Sequence, residues 1–357
     1  MQKSTVAGIY IERHRATMLG ATYDPKDAFS PVGPQLTFTA YDERKWSPKN
    51  RDQALSELRL LARDVADKMP EVRSIALAGF GPFVSLKRTD RGHFGRVHPL
   101  FGHEPFKDVR LYHLFAEELS EVGLSRLPLI TVHTDANAFA IGEAMARDIP
   151  ADHVMVSVLV TEGVGGGIVT GRSSFESALH PEMGLLHPRY DKDDKLKPEK
   201  SSHLFSHSIA DLADNEALRK RCIHEYGHVD FPNISDPKMW EMRAYYISQV
   251  CFSCTAILAP HHIVVAADID PHNRLVPDTR RFFGYFMDNR EGRGAPLLDY
   301  AELDDTHSFI SAPQRLPFAE LDGLPTSLAL TGAAGMCLAA ARVRRGGDNV
   351  TDMREAS

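Results

Sequence analysis

The segment from His133 to Ile168 combines a carboxylate with a glycine-rich turn. Asp135 directly follows the apolar run LPLITVHT, which predicts a buried strand, and ANAFAIGEAMA after it predicts a helix. A second apolar run, VMVSVLV, leads into TEGVGGGIV, where glycines let the backbone approach a ligand closely. A carboxylate within hydrogen-bond reach of a hydroxyl can act as a general base. The pattern therefore predicts transfer of a group to a hydroxyl.

Glu162 is the residue of this segment that does not suit a phosphate. It places a negative charge where a phosphate-binding turn presents N–H and hydroxyl donors. At about 4 Å and an effective dielectric near 20, a carboxylate facing a triphosphate costs on the order of a few kcal/mol. Glu162 therefore turns away, binds through a metal, or marks a turn that ATP does not occupy. The glycines at 165–167 have an alternative role in close strand packing.

The elements that must position these residues alternate between strands and helices. This alternation predicts an α/β fold with two lobes that meet near Asp135. We expect an N-terminal lobe over 1–134 that includes a final helix at 327–345, a C-terminal lobe over 135–326, and a disordered tail over 346–357. The predicted strands lie within 4–23 (a hairpin) and at 33–41, 72–79, 127–134, 154–160, 166–171 and 262–268, and the predicted helices at 55–69, 107–122, 238–259 and 327–345.

Composition narrows the class of protein. The 357 residues are 43% hydrophobic and 25% charged, as in ordinary globular proteins, and a net charge of −7 without a basic run argues against nucleic acid as the partner. The sequence has no apolar stretch near the roughly 20 residues of a membrane span and no signal-peptide pattern, so we expect a cytoplasmic protein. Four cysteines are too few for a disulfide scaffold. Cys251 and Cys254 share one face of a predicted helix, which favours core packing over redox or metal chemistry.

Four motifs carry a resemblance to a known family. They are FGPF (80–83), TDANAFAIGE (134–143), GVGGGIV (163–169) and HPEMG (180–184). In order and spacing they resemble the ROK family of bacterial sugar kinases and repressors, nearest its fructokinase-like branch, from about residue 4 to 345. The resemblance implies the actin-like ATPase fold, a sugar bound between the lobes and a homodimer. Repressor members carry an N-terminal helix-turn-helix, and here the first strand comes directly, so we do not expect DNA binding.

The resemblance also assigns roles to single residues. Asp135 would be the general base, Asn137 and Glu182 would form or support the sugar site, and Gly81 and Pro82 would line it. Asp135 and Glu182 each have an alternative role that does not involve a sugar. Asp135 could be the N-cap of the helix that follows it, and Glu182 could be a solvated loop residue.

The chain departs from the family where the nucleotide would bind. Residues 12–17 replace a glycine-rich phosphate turn and lack both glycines, although Arg13 and Arg15 could attract an anion instead of being exposed turn charges. Ala266-Ala267-Asp268 replaces three glycines at the adenosine-side turn, which predicts crowding there. Leu185 replaces a zinc-binding histidine. His203 and His207 could rebuild a metal site, but surface histidines are favoured, and we predict no metal.

Three functions remain open after this comparison. The favoured one is an enzyme acting on a sugar or a sugar-like polyol, with Asp135 as base and Glu162 as a second carboxylate. It would not use ATP in the standard way, and Arg13 and Arg15 would hold a phosphate or carboxylate on the substrate; no cofactor is expected. The second is a working hexose kinase of the fructokinase type that uses MgATP. The third is a non-catalytic sugar-sensing protein.

Overall fold

The computed structural model describes residues 3–343 except 29, 31–32, 101, 103, 125, 176–179, 197–207, 288–308, 317–323 and 325–326. The strands are β1 (Ser4–Ile11), β2 (Arg15–Tyr23), β3 (Thr37–Lys45), β4 (Val72–Gly79), β5 (Leu129–Thr134), β6 (Val154–Val160), β7 (Val164–Thr170), β8 (Ser173–Ser174), β9 (His262–Ala267) and β10 (Ile310–Ser311). The helices are α1 (Arg51–Lys68), α2 (Leu111–Glu121), α3 (Asp135–Ala146), α4 (Ala210–Ala213), α5 (Asn215–Tyr226), α6 (Pro237–Leu258), α7 (Leu275–Met287) and α8 (Leu328–Arg342).

The first sheet has the strand order β3-β2-β1-β4-β5. β1 and β2 form the predicted antiparallel hairpin, whereas β4 and β5 run parallel to β1 because α1 and α2 supply crossovers. The predicted strand at 33–41 is wrong by about four residues at each end. Pro34 lacks the N–H that a ladder needs, and β3 instead extends through the charged run to Lys45 at the sheet edge.

The second sheet has the order β10-β9-β6-β7-β8. β6 and β7 are an antiparallel hairpin, and β9 runs parallel to β6 on the other side. The strands predicted at 154–160, 166–171 and 262–268 are confirmed within two residues. With the first sheet and the helices around both, this confirms the predicted α/β architecture.

Three helices were not predicted from the sequence: the short α4, α5 and α7. α5 lacks a strong apolar stripe, but its ends carry helix signals: Asp214 accepts a hydrogen bond from Ala217 N, and Gly227 is left-handed at φ 75°. α7 contains Pro277 in its first turn, where proline is compatible with a helix. A search for caps, in addition to apolar periodicity, could have found α5.

Two central helices join the sheets. α3 packs on β6 and β7, α8 packs on β1, β2 and β4, and the two helices pack on each other. Glycines permit this contact. A Cβ on Gly142 would lie 2.0 Å from Thr331 O, and a Cβ on Gly335 would lie 2.2 Å from Ala138 O. The helix backbones are therefore too close for any side chain at these two positions.

The remaining sequence predictions concern cysteines, histidines and the membrane. All four cysteines are buried, and Cys254 Sγ lies 3.5 Å from Met183 Sδ, which confirms that Cys254 packs in the core. His203, His207 and the predicted tail at 346–357 lie outside the described residues. Among the helices that the structure describes, none has the length and apolar character needed to cross a membrane.

The contact between α3 and α8 gives a test of the fold. We expect Gly142→Ala to lower the free energy of unfolding by about 3 kcal/mol, because the new methyl group would overlap backbone atoms. Gly284→Ala is the matched control, since it lies in α7 with open space around its Cβ position, and it should raise stability by about 0.5–1 kcal/mol. Urea unfolding measures both. Equal stability of Gly142→Ala and the wild type would contradict the described contact.

Candidate functional site

Asp135 is the first residue of α3, where β5 ends. Thr134 is the N-cap residue of the helix, because its side chain accepts a hydrogen bond from Asn137 N at 3.3 Å. The alternative in which Asp135 is the N-cap is therefore wrong. The Asp135 carboxylate accepts a hydrogen bond from Ala136 N at 2.8 Å, and its side chain is partly exposed. Capping is done by the neighbouring residue, which leaves Asp135 available for chemistry.

The surroundings of Asp135 make its proton affinity unusual for an aspartate. Burial raises the pKa of Asp135 from 3.8 to about 7, the nearby Glu12 carboxylate raises it further, and His180 opposes the shift. A carboxylate that titrates near neutral pH is suited to general-base catalysis at that pH. The pKa values of Glu143 and Asp214 are also about 7, so it is the position of Asp135, at the start of α3 and near His180, that makes it the candidate base.

His180 was not among the predicted site residues, although it begins the HPEMG motif. Its Nε2 lies 2.6 Å from Glu182 Oε1, and a Cβ on Gly81 would lie 4.0 Å from the same nitrogen. The imidazole thus lies between the turn of Gly81 and Pro82 and the Glu182 carboxylate, close enough to act on the pKa of Asp135. His180 therefore lies close to three of the predicted site residues, Gly81, Glu182 and Asp135. The signal was present in the motif, since His180 is two residues before Glu182.

Asn137 lines a cavity of about 730 Å³ together with His133 and His180. Its side chain is only 7% exposed, and its Oδ1 has no hydrogen-bond partner among the described residues. Burial lowers the pKa of His133 to about 4, so this histidine is neutral at physiological pH. A buried acceptor without a partner is unfavourable unless a ligand donates to it. This favours the predicted role of Asn137 in binding a hydroxyl-bearing ligand, a role that stays a prediction.

Glu162 lies in the turn between β6 and β7 and is not an isolated charge. Arg219 binds its carboxylate with two hydrogen bonds of 2.9 and 3.1 Å, and Arg13 Nη1 lies 3.6 Å from it. Burial alone would raise the pKa of Glu162, but the two guanidinium groups hold it below its usual value. Arg219 Nη1 also lies 3.7 Å from Glu216 Oε2, so the two arginines and the two glutamates balance in charge. The cost expected for a bare carboxylate facing a phosphate therefore does not apply to this turn.

The two predicted anion-binding arginines of the β1–β2 turn diverge. Arg13 faces Glu162, as described, whereas Arg15 Nη2 bonds to Glu12 at 3.3 Å and Arg15 Nη1 lies 3.9 Å from Glu43. The guanidinium of Arg15 is thus neutralised by carboxylates of its own lobe. Its predicted role in holding an anionic group of the substrate gains no support from these contacts.

The glycines of TEGVGGGIV lie mainly in a strand. Gly165, Gly166 and Gly167 belong to β7 and pair with Leu159, Val158 and Ser157 of β6. A Cβ on Gly166 would lie 2.3 Å from Met183 Sδ, and a Cβ on Gly167 would lie 2.3 Å from Ala136 O. These distances favour the alternative in which the triplet serves close packing. The packing fixes the first turn of α3, and with it Asp135, against β7.

The end of β9 and the residue after it line a second cavity, of about 600 Å³. Ala266, Ala267 and Asp268 contribute to its wall, so the crowding predicted for this segment leaves substantial space. The Asp268 carboxylate accepts two hydrogen bonds of 3.0 Å from Asn215 Nδ2, and Arg243 Nη2 donates to Asn215 Oδ1 at 2.7 Å. This network anchors the start of α5, which also carries Arg219, beside the β6–β7 turn.

Comparison with solved structures identifies the fold. A ROK hexokinase from Thermus thermophilus superposes with a TM-score of 0.61 at 16% identity, over 94% of this chain and 97% of that one. A ROK family glucokinase from Streptomyces griseus, solved with glucose and AMPPNP, gives 0.60 at 14% identity, over 95% and 100%. The protein has the actin-like α/β fold of ROK sugar kinases.

Sequence comparison points to one branch of that class. No protein-family model matches the chain. Fructokinase from Pediococcus pentosaceus is 29% identical over 170 residues, which are 47% of this chain and 56% of that one. The chain spans about half the length of the curated relatives it matches. The resemblance to ROK sugar kinases, nearest the fructokinases, is thereby confirmed.

The pKa of Asp135 gives a test that does not depend on activity. Because the folded-state pKa lies above 3.8, ionisation of Asp135 costs more in the folded state than in the unfolded state. Its contribution to stability is retained below about pH 4 and lost as the pH rises through about 7. We therefore expect Asp135→Asn to raise the Tm at pH 8 by more than at pH 5. Asp152→Asn, at an exposed position, is the control, and an equal effect at both pH values would contradict the assignment.

Proposed function

We propose that the protein is a sugar kinase, which transfers a phosphoryl group from MgATP to a hydroxyl of a sugar bound beside α3. The observation that carries the proposal is Asp135 in the first turn of α3, with a pKa of about 7 and with His180 and Glu182 close by. The sugar-kinase fold and the fructokinase relatives support the same class. Asp135 thus acts as base rather than as a structural cap.

In the proposed reaction, the sugar hydroxyl gives its proton to the Asp135 carboxylate as its oxygen attacks the terminal phosphorus of ATP. The bond between that phosphorus and the bridging oxygen breaks, ADP leaves, and Asp135 releases the proton to solvent. Asn137 Oδ1, which lacks a protein partner among the described residues, accepts a hydrogen bond from a second hydroxyl of the sugar. The protein mainly positions the reactants, as phosphoryl transfer requires.

The phosphate donor would be held differently from the standard family pattern. Arg13 and Arg219 replace the missing backbone contacts, since a guanidinium binds phosphate oxygens with charge-assisted hydrogen bonds. The cavity along Ala266, Ala267 and Asp268 has the size of a small-molecule site, about 300–1,000 Å³, and would take the nucleoside. Glu162 then competes with the phosphates for the two arginines and weakens ATP binding without preventing it.

A second candidate function follows from the same cluster. Arg13 and Glu162 come from the two turns that would face the nucleotide, and their 3.6 Å ion pair joins those turns directly. If this contact persists, the site acts on a sugar by acid and base chemistry without ATP, with Asp135 and Glu162 as the two carboxylates. The kinase proposal is favoured because the sugar-kinase fold and the fructokinase relatives both support phosphoryl transfer.

The role of Asp135 is tested by steady-state kinetics of ADP release. We expect Asp135→Asn to lower kcat by about 10²–10⁴-fold and to change the KM for sugar little, because a general base acts mainly in the transition state. In the wild type, kcat/KM should rise with pH and level off above about 7, as Asp135 loses its proton. Asp152→Asn should match the wild type. Full activity of Asp135→Asn would remove Asp135 from the mechanism.

The phosphate-binding role of the arginine cluster is tested through the KM for MgATP. Arg219→Ala should raise this KM by about tenfold or more, the effect of losing a charge-assisted hydrogen bond. Glu162→Gln should lower it, because the competing carboxylate is gone. Lys238→Gln, an exposed change outside the site, is the control. Absence of ATP binding by calorimetry at millimolar concentration would exclude the kinase and favour the second candidate.

A further inference from the structure

The cavity at Asn137 continues along α3 away from Asp135. Asn137, His133 and His180 line it at the proposed sugar site, and Ile141 lines it one helical turn further on. From Asp135 to Ile141 the helix rises about 9 Å. The volume of about 730 Å³ lies within the range of small-molecule sites. Asp135 is not among the residues that line the cavity, so a substrate that reacts at Asp135 would place its remote end, with any substituent, in the cavity.

The charged side chains that line this cavity among the described residues are all positive. Lys87, Arg88, Arg172 and Arg342 contribute to its wall, and no aspartate or glutamate among the described residues does so. The chain as a whole carries a net charge of −7, so this distribution is the reverse of its average surface. A concave site lined by cations attracts and orients anions.

The four cations of the cavity differ in their partners. Lys87 and Arg88 are exposed and form no ion pair among the described residues. Arg172 pairs with Asp148, a residue outside the cavity wall, and its buried Nε has no hydrogen-bond partner among the described residues. Burial and the nearby Arg172 lower the pKa of Arg342, whose Nη1 donates to Ser173 Oγ at 2.6 Å. An anion between these groups would relieve their repulsion.

We propose that the substrate is an anionic sugar, with its ring at Asn137 and His180 and its phosphate or carboxylate at Arg172 and the Lys87–Arg88 segment. The proposal rests on the proposed sugar site and names the class of sugar that the site takes. It also places the anionic group of the sugar away from Arg13, which the proposed kinase uses for ATP, and from Arg15, whose guanidinium lies between Glu12 and Glu43. Phosphate and carboxylate share the chemistry that a guanidinium recognises.

The test compares matched neutral and anionic sugars by calorimetry and by ADP release. The probes are glucose and fructose, their 6-phosphates, and gluconate and glucuronate. We expect at least one anionic sugar to bind at least tenfold more tightly than its neutral parent, with a preference that declines as salt is added. Preference for the 6-phosphates alone identifies a sugar phosphate, and preference for the acids alone identifies a sugar acid.

Variants show whether the cavity causes the preference. Arg172→Gln should reduce the preference to about twofold or less. Because this change also breaks the pair with Asp148, the double variant Lys87→Gln/Arg88→Gln tests the same prediction with less risk to folding, since both side chains are exposed and form no ion pair within the described part of the chain. Lys238→Gln should keep the full preference. A preference that survives both Arg172→Gln and the double variant would overturn the proposal.

The outcomes separate this inference from the proposed kinase activity. Phosphorylation of neutral sugars without any anionic preference would overturn the inference and leave the kinase proposal intact. Tight, Arg172-dependent binding of an anionic sugar without ADP release would support the inference and overturn the kinase. Absence of binding by every sugar of the panel would overturn both.

Discussion

The contact between α3 and α8 is the constraint on which the rest of the structure depends. Each helix covers one sheet, and the two sheets are joined through the helices. Gly142 and Gly335 allow the two helix backbones to come into direct contact. Because the packing there is this close, one helix cannot shift along the other without steric overlap. Asp135 stands at the end of this assembly, and Gly167 packs against Ala136 next to it. The candidate base is thus positioned by the core of the fold and not by a loop.

Two carboxylates of the site acquire opposite properties from their surroundings. Burial raises the pKa of Asp135 to about 7, whereas Arg219 and Arg13 hold the pKa of Glu162 below its usual value despite its burial. At neutral pH the first can exchange a proton, and the second is a fixed charge in an ion cluster. Environments that separate the pKa values of neighbouring acids commonly divide their chemical roles. The roles proposed for Asp135 and Glu162 follow this division.

Much of the fold could be predicted from the sequence because its buried strands are continuous apolar runs. The predicted bounds of β4 and β6 agree with the structure at both ends, and the position of Asp135 directly after a buried strand identifies it as a candidate. The partner of Glu162 could not be found this way, since Arg219 lies 57 residues further on, in a helix without an apolar stripe. The cationic cavity is likewise assembled from distant segments, around Arg88, Arg172 and Arg342. Local sequence patterns predict helices and strands well, but they do not predict which side chains from distant segments come into contact.

The position of α8 has a consequence for how the chain folds. Cys337 in α8 donates to Leu19 O in β2, across a separation of 318 residues. The β1–β2 hairpin is local and can form early, but the face of the first sheet that α8 covers stays open until residues 328–342 have been synthesised. Long-range contacts of this kind slow folding and leave apolar surface exposed in the meantime. The first sheet therefore gains the cover of α8 only after nearly all of the described chain has been synthesised.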